Sequence, residues 1–274
     1  MRILIIGCGY VGLPLGQALV GLGHEVHGIR RSKFSAEGIT TQALDITQHG
    51  ALDGLPKNYD WVINTVSSSR GDLEAHRSVF VDGTRHLLDW LGKSSTHLLF
   101  TSSTSVYGQL DGSWVDEHSA TNPSGGTGGH LREAEETLLA APHSATVLRV
   151  AGIYGPERGF LFQQFVKGEA VLSDGGNRWL NMIHRDDMIS AILTAMELEP
   201  GIYNVADDEP VTQRAFFEWL ANRLSKQMPP EGESVSRKRA VTNKRVRNAK
   251  LKALGWELQF PTFREGYEAM LREE

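Results

Sequence analysis

A short apolar run that enters a glycine turn and then a helix is the feature that most constrains this chain. Residues 2–6 end in Ile3-Leu4-Ile5-Ile6, as in a parallel strand covered on both faces. They lead into Gly7-Cys8-Gly9-Tyr10-Val11-Gly12, a G-x-G-x-x-G. A helix follows, because Leu15, Ala18, Leu19 and Leu22 recur at i, i+3, i+4 and i+7 and Gly23 stands where a helix would stop. Pro14 falls in the first turn, where its missing N–H costs nothing. His24 to Ile29 reads as the next strand. In such a unit the first glycine makes the turn, the second lets a pyrophosphate approach the backbone, and the third lets helix and strand pack closely. The helix N-terminus then attracts the phosphates. Gly7, Gly9, Tyr10, Val11 and Gly12 are therefore the candidate cofactor loop. The fold class is α/β, a Rossmann-type doubly wound parallel sheet with a small C-terminal α/β substrate lobe.

The end of the second strand discriminates between cofactors. An acid about 20 residues beyond the glycines selects NAD through the ribose 2′-hydroxyl. That place holds Arg30-Arg31-Ser32, and a guanidinium binds a 2′-phosphate with paired hydrogen bonds. The expectation is NADP, with NAD as the alternative; the competing reading is a pair of solvated arginines at a strand end. Cys8, beside a helix N-terminus, could be a reactive thiol, but it reads better as a small residue in a crowded loop.

Composition closes several other classes. The net charge of −5 argues against a general nucleic-acid binder. A single cysteine excludes an internal disulfide and a cysteine-ligated zinc site. No histidine–carboxylate cluster has ligand spacing, so no metal is expected. No stretch approaches the ~20 apolar residues that span a bilayer. Met1 to Cys8 imitates a short lipoprotein signal, but glycines interrupt its apolar core at once, so the segment reads as a buried strand and the protein as cytoplasmic.

The later segments carry a family resemblance. Thr101-Ser102-Ser103-Thr104-Ser105-Val106-Tyr107-Gly108 resembles the Ser-Ser-x-x-Val-Tyr-Gly segment of extended short-chain dehydrogenase/reductases, the NAD-dependent epimerase/dehydratase family. Val147 to Pro156, Asn181 to Met188, Gly201 to Ala206 and Leu254-Gly255-Trp256 resemble its further landmarks. The resemblance implies that Asp45 contacts the adenine amino group, with Ile46 beside it. It also implies that Trp61 to Ser67 is the fourth strand, whose end, with Thr65, Val66 and Ser67, passes beneath the cofactor, and that Ser103 hydrogen-bonds the reacting oxygen.

The departures are as informative. Family members carry Tyr-x-x-x-Lys on a helix that corresponds to Pro123–Glu135; here those positions hold Thr127 and Leu131, and a helix Asn is replaced by Phe80. The tyrosine exchanges a proton with substrate and the lysine lowers its pKa. Thr127 can donate a hydrogen bond but does not ionise near neutral pH. Tyr107, His130 and His184 are candidate substitute acids, each with a structural reading as well. The glycine loop also differs, since extended members usually show G-x-x-G-x-x-G.

The division expected is a nucleotide domain over residues 1–155, with 181–206 returning to it, and a mainly substrate-binding lobe over 156–274. In that lobe Phe217, Leu220, Ala221 and Leu224 form a helical stripe that reads as core. Arg237-Lys238-Arg239 and Lys244-Arg245-Val246-Arg247 read either as a solvated face or as contacts to the phosphate of a nucleotide-sugar-like substrate. Gly9 to Leu15 also resembles the opening of nucleotide-sugar 6-dehydrogenases. That reading fails, because the one cysteine lies in the phosphate loop. Two functions remain: a reductase, epimerase or dehydratase on a carbonyl or sugar-like small molecule, and a nicotinamide-binding regulatory or scaffold protein without turnover. The oligomeric state stays open.

Overall fold

The computed structural model describes residues 1–68, 72–123, 126–232 and 242–273. The central sheet is built from β1 (Arg2–Ile6), β2 (Glu25–Arg30), β3 (Ile39–Ala43), β4 (Trp61–Asn64), β5 (His97–Ser103), then, after a short strand β6 (Trp114–Val115), β7 (Ala145–Val150). Every residue of β4 and β7 is buried, which is why both are mainly apolar rather than alternating, with buried polar exceptions that include Asn64 and Arg149. Following β8 (Gly152–Tyr154), β9 (Trp179–Leu180) and β10 (Met182–His184), strand β11 (Ile202–Val205) returns to pair with β7. The seven strands run in the order β11-β7-β5-β4-β1-β2-β3, and all their pairings are parallel. This is the doubly wound α/β arrangement. Strand order reverses between β1 and β4, so a crevice opens beyond their carboxyl ends, where such sheets bind ligands.

Helices cover the sheet. Helix α1 (Gly12–Gly21) buries Leu15 and Leu19, while Leu22, which the spacing places in the same stripe, stands at the C-cap beyond the helix and is exposed. Gly23 follows at φ 82°, a left-handed turn that glycine adopts without strain. Helices α2 (Leu73–Arg77) and α3 (Gly83–Leu91) are joined by a π-helical turn over Ser78–Asp82. They pack against α4 (Gly126–Leu139). Such single π turns mark functional positions more often than ordinary ones.

While α6 (Arg185–Ala195), β13 (Arg245–Val246) and α8 (Ala249–Ala253) add Ile192, Val246 and Leu251 to the main core, a second apolar cluster lies in the later chain, built on α5 (Phe160–Val166), the two-residue strand β12 (Val211–Thr212), α7 (Gln213–Leu224) and α9 (Phe263–Glu273). Its centre is aromatic: Phe165 stacks on Phe217 at 5.7 Å, and Tyr154 on Tyr267 at 4.5 Å. Thr212 caps α7 by accepting the Ala215 N–H, which sets the start of a helix that buries Phe216, Phe217, Leu220 and Ala221. Asp187 accepts the backbone N–H groups of Gln259 and Phe260 and so ties the last segment to α6. Among the described residues no helix is long and apolar enough to cross a membrane.

Candidate functional site

The three glycines of the first loop do three different jobs. Gly7 has φ 91°, and its N–H and that of Cys8 both donate to the Ile29 carbonyl at 2.9 Å, which ties the loop to β2. A methyl group at Gly7 would lie 2.6 Å from the Val66 nitrogen. One at Gly12 would lie 2.6 Å from the Gly7 carbonyl oxygen and 2.7 Å from the Thr65 hydroxyl. At Gly9 a methyl would find only the Gly7 carbonyl oxygen, 3.8 Å away. Gly7 and Gly12 therefore serve the fold, and Gly9 leaves an open face beside the start of α1. No side chain caps that helix at Val11; the Leu13 N–H donates to the Gly9 carbonyl and Pro14 has none, so an anion there would meet the Gly12 N–H and the positive end of the helix. The residues present fit a dinucleotide diphosphate.

Around the loop the remaining cofactor candidates divide. The Thr65 hydroxyl donates to the Gly7 carbonyl at 3.0 Å, so it fastens the loop from beneath. Val66 is half-buried, with its N–H on Asn64 Oδ1, and Ser67 is exposed at the crevice. Asp45 is half-buried; its Oδ1 accepts the Thr47 N–H at 3.0 Å and hydroxyl at 2.8 Å, which sets the turn after β3. Ile46 is buried, and its carbonyl meets His86 Nδ1 at 3.0 Å. Arg30 donates to the carbonyls of Ser32 and Lys33 and lies over the Phe34 ring at 4.3 Å, so it braces the loop that presents exposed Arg31 and Ser32. Burial pushes the Cys8 thiol up to about 11, so Cys8 is a packed thiol under Gly28.

Among the candidate catalytic residues, Ser103 closes β5 and caps the short helical turn that follows, its Oγ accepting the Ser105 N–H at 3.2 Å. An N–H donated into Oγ fixes the hydroxyl and leaves its own proton for a ligand. Thr127 is half-buried on α4, one turn ahead of Leu131, which is 4 % exposed and part of the main core. Phe80 occupies the π turn and packs on His76 at 4.4 Å. The four positions of a proton-transfer tetrad are thus filled by two hydroxyls, Ser103 and Thr127, and two apolar side chains, Leu131 and Phe80. Ser124 and Gly125, which precede α4, lie outside the described residues.

The three substitute acids fare differently. Tyr107 is fully buried; its hydroxyl donates to Asn204 Oδ1 at 2.8 Å and accepts from Arg149 at 3.0 Å, and burial raises its pKa. It holds structure. His184 is buried and caps α6 by accepting the Asp186 N–H, and burial lowers its pKa. His130 is half-buried on α4, with its Nδ1 in hydrogen-bond contact with His76 Nδ1 at 3.3 Å.

His76 itself is buried, and burial together with His130 pulls its pKa down to about 4. The unfolded chain binds that proton near 6.5 and the folded one only near 4. Between those values the unfolded state holds more protons, so stability falls as pH falls. From pH 7 to 5 this site is expected to cost about 1–2 kcal/mol, by the 1.36 kcal/mol per unit of a pKa difference. Urea midpoints at both pH values should show a smaller drop for His76→Phe than for the native chain; equal drops would assign the pH dependence elsewhere.

One element escaped the sequence. Arg149, in the buried strand β7, pairs with Glu135 of α4 at 2.8 Å, and both are nearly inaccessible. Glu135 also accepts the Ser102 hydroxyl, and Arg149 and Asn204 hold Tyr107. This buried network lies under the strand end that carries Ser103. A charge inside the run Val147-Leu148-Arg149-Val150 was the available signal, because buried charges need partners.

The basic run of the later chain also resolves. Arg245 donates to the Gly112 carbonyl and lies between Trp114 and Trp179 at 5.0 and 4.9 Å, and Arg247 lies over Trp114 at 5.0 Å. Lys244 is buried, its ammonium donating to the Thr242 hydroxyl, and burial with nearby Arg178 lowers its pKa to about 8. Arg237-Lys238-Arg239 lie outside the described residues. Among the described residues no three His, Cys, Asp or Glu side chains form a metal-binding group.

Comparison with known proteins places this geometry. The sequence model of the NAD-dependent epimerase/dehydratase family matches residues 3–206. A solved structure from Methylobacillus flagellatus, provisionally described as an NAD-dependent epimerase/dehydratase, is 32 % identical with a TM-score of 0.83, over 99 % of this chain and 98 % of that one. A 3-diazoavenalumate denitrifying reductase of a Streptomyces species is 25 % identical over 97 % of this chain and 99 % of its own. UDP-glucuronic acid 4-epimerase of Bacillus cereus, solved with UDP-glucuronic acid and NAD, has a TM-score of 0.84 at 19 % identity, covering 100 % of this chain and 99 % of that one. At that identity the likeness is one of fold.

Proposed function

The chain belongs to the NAD-dependent epimerase/dehydratase family, and on that footing we propose that it binds a nicotinamide dinucleotide and acts as a reductase, epimerase or dehydratase on a carbonyl or sugar-like substrate. The observation that carries this reading is the open face at Gly9 between two glycines that the fold itself requires. Thr127 stands at the vacated tyrosine position and Leu131 at the lysine position, which leaves Ser103 as the one matching hydroxyl. When bound, the nicotinamide supplies or accepts a hydride. Ser103 donates a hydrogen bond from its hydroxyl to the reacting oxygen and Thr127 adds a second; neither alcohol gives up its proton near neutral pH, so the proton that completes a reduction is drawn from solvent water. Residues 156–274 form most of the substrate side. There the buried ammonium of Lys244, whose charge burial disfavours, suits a phosphate of a nucleotide-sugar-like substrate.

Loss of the tyrosine removes a general acid worth about 10²–10⁴-fold, or roughly 3–5 kcal/mol. Holding substrate against the cofactor contributes about 7–11 kcal/mol without it, so the reaction is weakened rather than abolished. Ser103→Ala is expected to lower turnover on the order of 10²-fold, as removal of one placed donor to a developing oxyanion does. Thr127→Val is expected to cost less. The measurement is NADPH oxidation across a panel of carbonyl compounds and sugar nucleotides, guided by mass spectrometry of what co-purifies. Unchanged turnover in Ser103→Ala would remove Ser103 from the site.

NADPH is the cofactor we favour over NADH, since Arg31 and Ser32 sit at the ribose end of β2 on a loop braced by Arg30. A charged hydrogen bond is worth about 1.5–3 kcal/mol, so calorimetry should show NADPH binding about tenfold or more tighter. Replacing Arg30 and Arg31 together by alanine should erase the difference. Equal affinities in the native chain at low salt would reassign the cofactor to NAD. A second reading, a nicotinamide sensor without turnover, is supported by Leu131 buried in the core and Phe80 packed on His76. It takes the lead if no variant turns over any compound while the dinucleotide still binds.

A further inference from the structure

Tyr10, the aromatic residue of the glycine loop, is held by groups from the far side of the crevice. Its hydroxyl donates to the Pro156 carbonyl at 3.0 Å. The guanidinium carbons of Arg158 and Arg185 lie 4.9 and 5.3 Å from its ring centroid. Arg158 sits in a tight turn in which Gly155 and Arg158 exchange backbone hydrogen bonds at 3.2 and 2.9 Å. The turn forces Glu157 to φ 61°, a strained value for a residue with a side chain, with Gly155 at 149° and Gly159 at 144° on either side. A methyl group at Gly155 would lie 2.7 Å from the Tyr10 hydroxyl, so turn and loop are in close contact. Arg185 opens α6 and donates through Nε to Asp186 Oδ1 at 2.9 Å, which leaves its terminal amino groups. The acids Asp186 and Glu157 also face this ring. Arg158 is exposed, and among the described residues no carboxylate forms an ion pair with it.

We propose that Arg158 and Arg185, stacked on Tyr10, form the outer jaw of a diphosphate clamp: loop N–H groups and the α1 N-terminus receive the phosphates from one side, and two guanidinium groups close on them from the other. This rests on the dinucleotide reading above. The glycine loop, G-x-G-x-x-G, is one residue shorter than the usual G-x-x-G-x-x-G of extended relatives, and the arginines supply donors from outside it. Arginine suits the task because its planar fork meets phosphate oxygens in pairs. Stacking on one ring holds both forks before the ligand arrives, so less side-chain freedom is lost on binding. The strained turn is accounted for as the element that holds Arg158 against the loop.

The test is calorimetric titration with ADP-ribose and with adenosine, at low and at high salt. It compares the native chain with Arg158→Gln, Arg185→Gln and the double variant. The double variant is expected to bind ADP-ribose roughly tenfold or more weakly, with adenosine binding unchanged, and the gap should narrow at high salt because screening weakens the lost contacts. Arg158→Lys should recover only part of the affinity. If the double variant binds ADP-ribose as the native chain does while Gly9→Val does not bind it, the clamp is overturned and the cofactor site stands. If the native chain binds no ADP-ribose, NADH or NADPH, the dinucleotide reading falls and the clamp with it.

Discussion

Replacing Gly9 by valine is expected to lower affinity for NADH and NADPH by about 100-fold or more, close to 2.7 kcal/mol, while the melting temperature stays near that of the native chain. The asymmetry comes from local geometry. Space at Gly9 is open in the protein alone, with the nearest atom 3.8 Å from a built methyl group. The fold therefore tolerates the side chain and the ligand does not. Gly12→Val makes the opposite case: its methyl groups would press on the Gly7 carbonyl and the Thr65 hydroxyl from under 3 Å, so the loop itself must move. That variant should lose stability as well as binding, by about 1–3 kcal/mol, as overpacked sites do. Fluorescence quenching by NADPH and a thermal melt on the same samples separate the two effects. A folded Gly9→Val protein that binds NADPH as tightly as the native chain would mean that all three glycines serve the turn.

Glu135→Ala is expected to destabilise the protein by about 3–5 kcal/mol, because it leaves the Arg149 guanidinium buried without its counter-charge. Native domains have about 5–15 kcal/mol in hand, so this one substitution removes a large part of the margin. The Ser102 hydroxyl and the Tyr107–Arg149 contact would also lose their anchor. Urea unfolding at pH 7 measures the loss. Should Glu135→Ala fail to fold, the pair Glu135→Leu with Arg149→Met keeps the argument testable, since replacing both charges by apolar side chains is often neutral or stabilising. The double variant should recover most of the stability. A loss below about 1 kcal/mol for Glu135→Ala would show that water, rather than Glu135, satisfies Arg149.

Much of the frame was legible because it depends on neighbours in sequence. The run Ile3 to Ile6, the glycine turn and the stripe Leu15, Leu19 are local patterns, and they specify a buried parallel strand, a left-handed turn at Gly7 and a helix packed on one face. Ser103 at a strand end and Thr127, Leu131 and Phe80 in place of a proton-transfer set were likewise readable, through the resemblance of their segments to the family's motifs. The roles of His130 and Tyr107 were not. A histidine on a helix reads the same whether it faces solvent or a second histidine, and the His76 partner lies 54 residues away. Thr65 gave no sign that its hydroxyl would hold the loop rather than a ligand, because its acceptor, the Gly7 carbonyl, is brought to it only by the β1–β4 pairing.

By itself, then, the sequence determined the α/β class, the order of strand and helix at the phosphate loop, and the absence from α4 of the Tyr-x-x-x-Lys pair of the family it resembles. These follow from periodicity, backbone freedom and side-chain chemistry, all properties of a few consecutive residues. The tertiary structure alone decided which charges meet: Arg149 with Glu135 across β7 and α4, Arg245 between Trp114 and Trp179, Arg158 and Arg185 on Tyr10. A charge finds its partner by distance in space, and that distance is set by how the sheet orders its strands, which no local pattern encodes.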